Sequence, residues 1–212
     1  MKMISRYTPL AVCSGNITNS IYDVDFGKLE PSVNVVEVTG ASTATVFDYE
    51  KPIVIDAPFG ACLHVVASGA STSKIVVKGF DYLGQPMTEE LTLKGTTAFE
   101  SNKAFKYIER IELPASTAVT VTITRGLYLG LPFRTTQILA EIRNGLKSTT
   151  SALINPSDFA STATSVDPRG IVNLTTYASA AHVVLVCVAS DEVFTINGED
   201  QGGLFGIPHF SA

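Results

Sequence analysis

The sequence contains no tryptophan, and phenylalanine and tyrosine bring its aromatic content to only 8%. Sugar-binding surfaces usually rely on exposed rings, tryptophan above all, so a carbohydrate-binding module or a β-sandwich hydrolase is disfavoured. Charge is scarce as well: Asp, Glu, Lys and Arg make up 17% of the chain, against about 25% in ordinary soluble domains. The 15 basic residues are scattered and outnumbered by 20 acidic ones, giving a net charge of −5. Without a Lys/Arg cluster there is no electrostatic footprint for nucleic acid or for an anionic membrane. Long apolar runs are missing too, since the longest, such as His182–Ala189, fall far short of the ~20 residues a membrane-spanning helix needs. Cysteine is limited to Cys13, Cys62 and Cys187. An odd number, widely spaced in apolar settings, predicts buried free thiols rather than a disulfide framework. At 212 residues the chain needs no such staple, because a domain of this size buries about 70% of the surface its unfolded form exposes.

In place of charge the sequence has Ser, Thr and Val. Thr is β-branched and suits a pleated surface, whereas exposed helices draw on Glu, Lys and Arg. A surface poor in charge is also compatible with tight subunit packing. Runs rich in Val, Ile, Thr and Phe predict strands at 33–38, 53–55, 61–67, 74–80, 89–93, 105–113, 117–124, 170–175, 182–189 and 193–196, with turn residues between them. In 117–124, Val119, Val121 and Ile123 share one face and the threonines the other. The nearly continuous apolar run 182–189 predicts a strand buried on both faces. Residues 135–146 fit a helix, with Ile138, Ile142 and Leu146 four apart, about as well as an alternating strand. The predicted fold is all-β and mainly antiparallel, a β-sandwich or partly closed barrel with at most one or two short helices. Residues 1–32 read as an N-terminal arm or loosely strand-forming lead-in. Residues 33–200 read as the β-rich domain, with a subdivision open near 147–166, and 201–212 as an apolar tail that packs on its own domain or on a neighbour. Lys2 and Arg6 precede Leu10-Ala11-Val12-Cys13 in the manner of a lipoprotein signal. Thr8 and Pro9 interrupt the apolar stretch, however, and bulky Val12 stands where a small residue is required, so folding in a cytoplasm is expected.

Histidine is confined to His64, His182 and His209. No two share a spacing that puts ligands on one face of a helix or strand, so packing or hydrogen-bonding roles are expected. A Ser-His-Asp site meets only in three dimensions, but the Gly-x-Ser-x-Gly elbow does not occur. Glu89 and Glu90 fall on opposite strand faces, a poor general acid/base couple, and read as a solvated strand edge. Gly202-Gly203-x-x-Gly206 lacks the parallel strand, helix and Lys-Ser/Thr ending of a phosphate loop. Asp191, Glu192, Glu199 and Asp200 match no calcium-loop spacing and read as a solvated turn. Asn16-Ile17-Thr18 and Asn173-Leu174-Thr175 match glycosylation acceptors by chance in a chain without a secretory signal. No catalytic, cofactor-binding or metal-binding residue is assigned, no cofactor is expected, and the chain is expected not to be an enzyme.

Residues 78–93, Lys-Gly-Phe-Asp-Tyr-Leu-Gly-Gln-Pro-Met-Thr-Glu-Glu-Leu-Thr-Leu, predict a hairpin in which Gly84 takes positive φ and Pro86 helps end the turn. An outgoing strand with G-x-D-x-x-G and a return strand with T-E-x-L-x-L resembles a pattern common in structural proteins of tailed bacteriophages. Residues 103–111, Lys-Ala-Phe-Lys-Tyr-Ile-Glu-Arg-Ile, are similar to the K-A-F-K-x-I strand that follows it there. Residues 125–134, Arg-Gly-Leu-Tyr-Leu-Gly-Leu-Pro-Phe-Arg, are similar to the G-L-P segment that closes the unit. The resemblance covers about residues 75–134, well under half the chain. It implies a virion protein, made in the host cytoplasm. Likeness to capsid decoration (cement) proteins in size, acidity and β content implies binding to the major capsid protein on the outer shell. The lead-in and tail would then serve as arms across capsomer junctions. A tail, baseplate or head-fibre component is the alternative within the particle. Long Val/Thr strands leave edges to be covered and few lysines guard them, so a homo-oligomer, dimer or trimer, is expected.

Overall fold

Strand after strand follows the period of two that the pleat imposes. In Lys74–Phe80, Ile75, Val77 and Gly79 are buried, while Val76, Lys78 and Phe80 are partly exposed. The structure, a computed structural model, describes residues 7–8, 21–28, 34–115, 117–148, 152–154, 162–174, 181–190, 193–196, 199–202 and 209–211. Among the described residues there are strands and turns and no helix. In chain order the strands are β1 (Tyr7–Thr8), β2 (Ile21–Lys28), β3 (Asn34–Thr39), β4 (Thr45–Val54), β5 (Ala61–Ala67) and β6 (Lys74–Phe80). They continue with β7 (Pro86–Thr92), β8 (Phe99–Glu100), β9 (Tyr107–Leu113), β10 (Thr120–Gly130), β11 (Thr135–Arg143) and β12 (Leu146–Lys147). The last are β13 (Ala152–Ile154), β14 (Ile171–Asn173), β15 (His182–Ala189), β16 (Val193–Ile196) and β17 (Glu199–Gly202).

The fold is all-β and antiparallel, in the manner of a β-sandwich or partly closed barrel. One sheet runs β1-β2-β15-β11-β12 and a second β13-β14-β10-β5-β8, with β3 added along β10. A third runs β4-β9-β6-β7, and β16 and β17 form a separate hairpin. The three larger sheets share one core. Val24, Phe26 and Leu185 come from the first, Leu63, Val65, Val121 and Ile123 from the second, and Ile75, Val77, Ile108 and Ile111 from the third. Buried residues on both sides of 147–166 belong to this core, including Leu131 before it and Val172 after it.

The structure decides one alternative that the sequence leaves open and differs in detail from the sequence reading at two further segments. Residues 135–146 form β11 and its return β12, not a helix. Arg143 pairs with Leu146 across Asn144 and Gly145, whose φ angles of 49° and 82° suit a two-residue hairpin turn. Ile21–Lys28, inside the expected lead-in, is a full strand along β15, with Val24 and Phe26 in the core. β15 itself buries one face only: Val183, Leu185, Cys187 and Ala189 are buried, and Val184, Val186 and Val188 are partly exposed on the other.

The edges of the third sheet are managed within the chain. Pairing of β4 with β9 breaks between Asp48 and Ile53, around Pro52, which blunts that edge. On the opposite edge, β7 donates Thr88 N–H to the Phe210 carbonyl at 2.7 Å and Glu90 N–H to that of Ala163 at 2.8 Å. At these two positions of β7 the chain itself supplies the acceptors.

Close approach, not a turn, explains Gly79. A Cβ there would lie 1.9 Å from the Tyr107 carbonyl oxygen on β9. Gly79→Ala must push two paired strands apart and is expected to cost at least about 2 kcal/mol. At Gly84, where φ is +81° and nothing lies within 4 Å, alanine is expected to cost only about 1 kcal/mol of left-handed strain. Urea denaturation of the two variants checks the order; equal losses would refute the crowding at Gly79.

Candidate functional site

The densest set of charged groups in the core gathers around the β6–β7 turn. Asp81 follows β6 and organises the turn with its own carboxylate. Its Oδ1 accepts the N–H groups of Leu83 and Gln85, both at 2.8 Å, while its backbone N–H donates to the Gln85 carbonyl at 3.0 Å. Oδ2 faces inward, 3.3 Å from Arg169 Nη1 and 3.5 Å from His209 Nε2. Arg169 comes from the turn Asp167-Pro168-Arg169-Gly170, closed by Gly170 N–H on the Asp167 carbonyl at 2.8 Å. Its guanidinium grips Asp167 with two bonds, Nε to Oδ1 and Nη2 to Oδ2, both at 3.2 Å. Asp167 Oδ2 also accepts Ala104 N–H at 3.2 Å. Tyr82 covers the cluster, its ring 5.2 Å from Arg169 Cζ and its hydroxyl donating to the Pro132 carbonyl. Tyr82 packs edge-on against Phe59, and Phe59 against Phe26 of β2, so the cluster is tied to the first sheet by aromatic contact.

A second group lies beside it. Glu89 on β7 is fully buried and accepts N–H from Asn102 at 2.6 Å and from Lys103 at 3.2 Å. Ser101 Oγ accepts Leu63 N–H at 2.8 Å and donates to the Lys103 carbonyl at 3.2 Å. The Lys103 side chain is fully buried as well. Asn102 links this group to the Asp167 segment: its carbonyl accepts Asp167 N–H at 2.9 Å and its Nδ2 donates to the Thr164 carbonyl at 3.0 Å.

The electrostatics follow from burial and pairing. Burial works against ionisation of Asp167, but the Arg169 guanidinium, His209 and hydrogen bonds outweigh it and draw the carboxyl down to about 2. Asp81 is lowered in the same contest, with His209 and Arg169 prevailing over burial. Burial disfavours the Arg169 charge, yet Asp167 and Asp81 together raise its pKa. Burial pushes Tyr82 up to about 12. Burial pushes Glu89 up to about 8, outweighing the Asn102 N–H, the Lys103 charge, the Lys103 N–H and Ser101. Burial also lowers Lys103. Asp81, Asp167 and Arg169 thus form a committed ionic cluster, and Glu89 is held as a neutral acid at neutral pH. All four are sealed from solvent at 2% exposure or less. Groups so enclosed and paired hold chain segments together.

The three histidines do not converge. His64 on β5 meets Glu100 Oε1 at 2.9 Å, His182 at the start of β15 meets Asp25 Oδ1 at 2.6 Å, and His209 meets Asp81. Glu89 and Glu90 do occupy opposite faces, but their reading as a solvated edge is corrected: Glu89 points into the core, and only Glu90 is outward, paired with Lys74 Nζ at 2.7 Å. Cys62 and Cys187 are buried free thiols, raised by burial, Cys187 to about 12. Asn173 lies in β14 and Glu199, Asp200 and Gly202 in β17. Cys13, Asn16, Asp191, Glu192, Gly203 and Gly206 lie outside the described residues. Among the described residues no group of three or more His, Cys, Asp or Glu is placed to hold a metal ion, and no helix is long and apolar enough to cross a membrane.

Sequence reasoning missed Asp81, Lys103, Asp167 and Arg169. The one local signal was Asp167-Pro168-Arg169-Gly170, a turn that carries opposite charges two residues apart. Fold and site together define an antiparallel all-β protein closed around a buried ionic cluster. Comparison with protein families, curated proteins and solved structures found no match to this chain.

Proposed function

We propose that this chain is a structural subunit of a tailed-bacteriophage virion that binds the outer capsid surface as a decoration, or cement, protein. The observation that carries the reading is the convergence of the resembling segments on one place. Gly79, Asp81 and Gly84 of the first pattern make the close strand approach, the anchored turn and the positive φ. Glu89, Leu91 and Leu93 of the second are buried on one face of the return strand. Lys103, Ala104, Phe105 and Ile108 of the third are buried beside them, and Lys106 donates to the carbonyls of Ile55 and Ala57. Pro132 of the fourth accepts the Tyr82 hydroxyl. The pattern is therefore a folding unit and not a set of chemically reactive groups, as expected of a protein that works by presenting a rigid surface.

A surface suited to that work exists on the first sheet. Val184, Val186 and Val188 form a partly exposed apolar row on β15, and at its β11–β12 side Leu139 is 43% and Leu146 75% exposed. Burying such a face against the major capsid protein would supply the apolar centre of a contact of about 800 Å² per partner. Electron microscopy of purified particles that carry a tagged copy tests the proposal. Density for a 22.5 kDa protein at symmetric sites on the outer shell is expected. Density at the tail, baseplate or a head fibre would replace the decoration role with the alternative virion role, and absence from particles would end the virion reading.

A further inference from the structure

Asn144 and Gly145 make the β11–β12 turn, and as a pair they also carry a chemistry of their own. Both are exposed. The side-chain amide carbon of an asparagine is open to attack by the backbone nitrogen of the residue that follows, and glycine, having no Cβ, hinders that attack least. Solvent base takes the Gly145 amide proton, and the new bond from Gly145 N to Asn144 Cγ closes a five-membered succinimide. The Cγ–Nδ2 bond breaks, and the leaving amide takes up a proton and departs as ammonia. One water then opens the ring at either carbonyl to give aspartate or isoaspartate, so the balance is one water taken up and one ammonia released.

The folded turn holds this reaction back. With φ at 49° and 82°, the two residues match the central positions of a type I′ turn, where ψ of the first is about +30°. At that angle Gly145 N lies nearly opposite Cβ about the Cα–C bond, out of reach of Cγ. His182 fixes the arrangement from the neighbouring strand: its N–H donates to Asn144 Oδ1 at 3.0 Å, and its carbonyl accepts Asn144 N–H at 2.9 Å. The hairpin itself is slight. β12 is two exposed residues at the end of the first sheet, Leu146 among them at 75% exposure, and beyond it Ser148 N–H donates to the Glu141 carbonyl at 2.9 Å. Such edges open locally at small cost. We infer that Asn144 is a self-modification site, deamidated through a Gly145 succinimide when the β11–β12 hairpin opens and protected by His182 while it is closed. Isoaspartate adds a methylene to the main chain, so the two-residue turn with its two His182 bonds cannot re-form and the opening becomes permanent. The inference stands apart from the virion proposal, because it is tested on the isolated protein.

The test follows the full-length chain and a synthetic peptide of residues 138–148 at mildly alkaline pH. Peptide mapping assigns the gain of about 1 Da per converted amide, because Asn197-Gly198, outside the described residues, is the same dipeptide. The folded chain is expected to convert at Asn144 about ten- to a hundredfold more slowly than the peptide, the delay reflecting how rarely the hairpin is open. Isoaspartate is expected among the products, and a chain that carries it is expected to exchange the His182 amide proton at least about tenfold faster. Ser148→Pro removes the N–H bonded to Glu141 and is expected to bring the rate toward that of the peptide. Should this variant fail to fold, wild type in urea below its unfolding transition takes its place. No conversion at Asn144 after about a hundred peptide half-lives overturns the site. Conversion as fast as in the peptide, or a rate indifferent to Ser148→Pro and to urea, overturns protection by the closed hairpin. Unchanged exchange at His182 in the isoaspartate chain overturns the permanent opening.

Discussion

Replacing Arg169 by leucine is expected to cost the fold about 3–5 kcal/mol, the range for stripping one partner from a buried ion pair. The reason is what stays behind. Asp81 and Asp167 are both fully buried, and Arg169 lies within ion-pair distance of both. Leucine fills some of the volume but leaves two carboxylates facing one another in a medium that solvates neither. The pH dependence should change sign with the charge. In the wild type, Asp81 and Asp167 are lowered, so their stabilisation is present above the ordinary carboxylate range near 4 and is lost as pH falls toward about 2. In Arg169→Leu the carboxyls prefer to be protonated, so the variant should come closest to the wild type in acid. A surface pair supplies the control. Lys74 and Glu90 meet at 2.7 Å, but Lys74 is 64% exposed, and Lys74→Ala is expected to stay within about 1 kcal/mol. Urea midpoints of the two variants, measured at neutral and acid pH, check the prediction. An Arg169→Leu loss no larger than that of Lys74→Ala would show that the cluster does not hold the fold.

Local pattern carried the parts of the fold that obey local rules. Alternation in β6 and β10 and the turn chemistry of Gly84 and Pro86 were legible because period and turn residue depend on neighbours alone. The same logic held two signals that went unused. Asn144-Gly145 between alternating segments is the strongest short hairpin signature, and it decides between the helix and the strand at 135–146. Glu89 shares parity with Met87, Leu91 and Leu93, all buried; a carboxylate on the apolar side of a strand announces a buried acid. β2 was obscured for a different reason. Asp23, Asp25 and Gly27 look like turn residues, yet Asp25 Oδ1 accepts Gly27 N–H at 2.7 Å and meets His182, so these polar groups are satisfied within a strand. Beyond the opposite charges of Asp167 and Arg169, the ionic cluster was not legible, because Asp81, Asp167 and His209 lie far apart in the chain. Their meeting is set by how the sheets pack, not by any local spacing.

Between pH 5 and 8 the wild-type protein is expected to lose stability as pH rises, and Glu89→Gln is expected to remove most of that slope. Glu89 is pushed up to about 8 by burial, against an ordinary 4.5. Between the two values the unfolded chain has released this proton and the folded chain still holds it. The unfolded state therefore binds fewer protons, and rising pH favours unfolding until the folded acid ionises near 8, above which the penalty is constant. A shift of this size is worth several kcal/mol. Asp81, Asp167 and Lys103 do not imitate the slope. Asp81 and Asp167 act below about 4, where their effect has the opposite sign. Lys103, lowered by burial, contributes instability that is relieved as pH rises through its folded value toward the ordinary 10.5, again opposite in sign. Glutamine keeps the shape and one acceptor oxygen for the Asn102 or Lys103 N–H, but has no proton to lose. The variant should therefore be less stable than the wild type near pH 5, where one hydrogen bond is missing, and more stable at pH 8, where the ionisation penalty is gone. Thermal midpoints across pH 4 to 9 would show the two curves crossing. Parallel curves would place the pH dependence on another group and refute the neutral buried acid at Glu89.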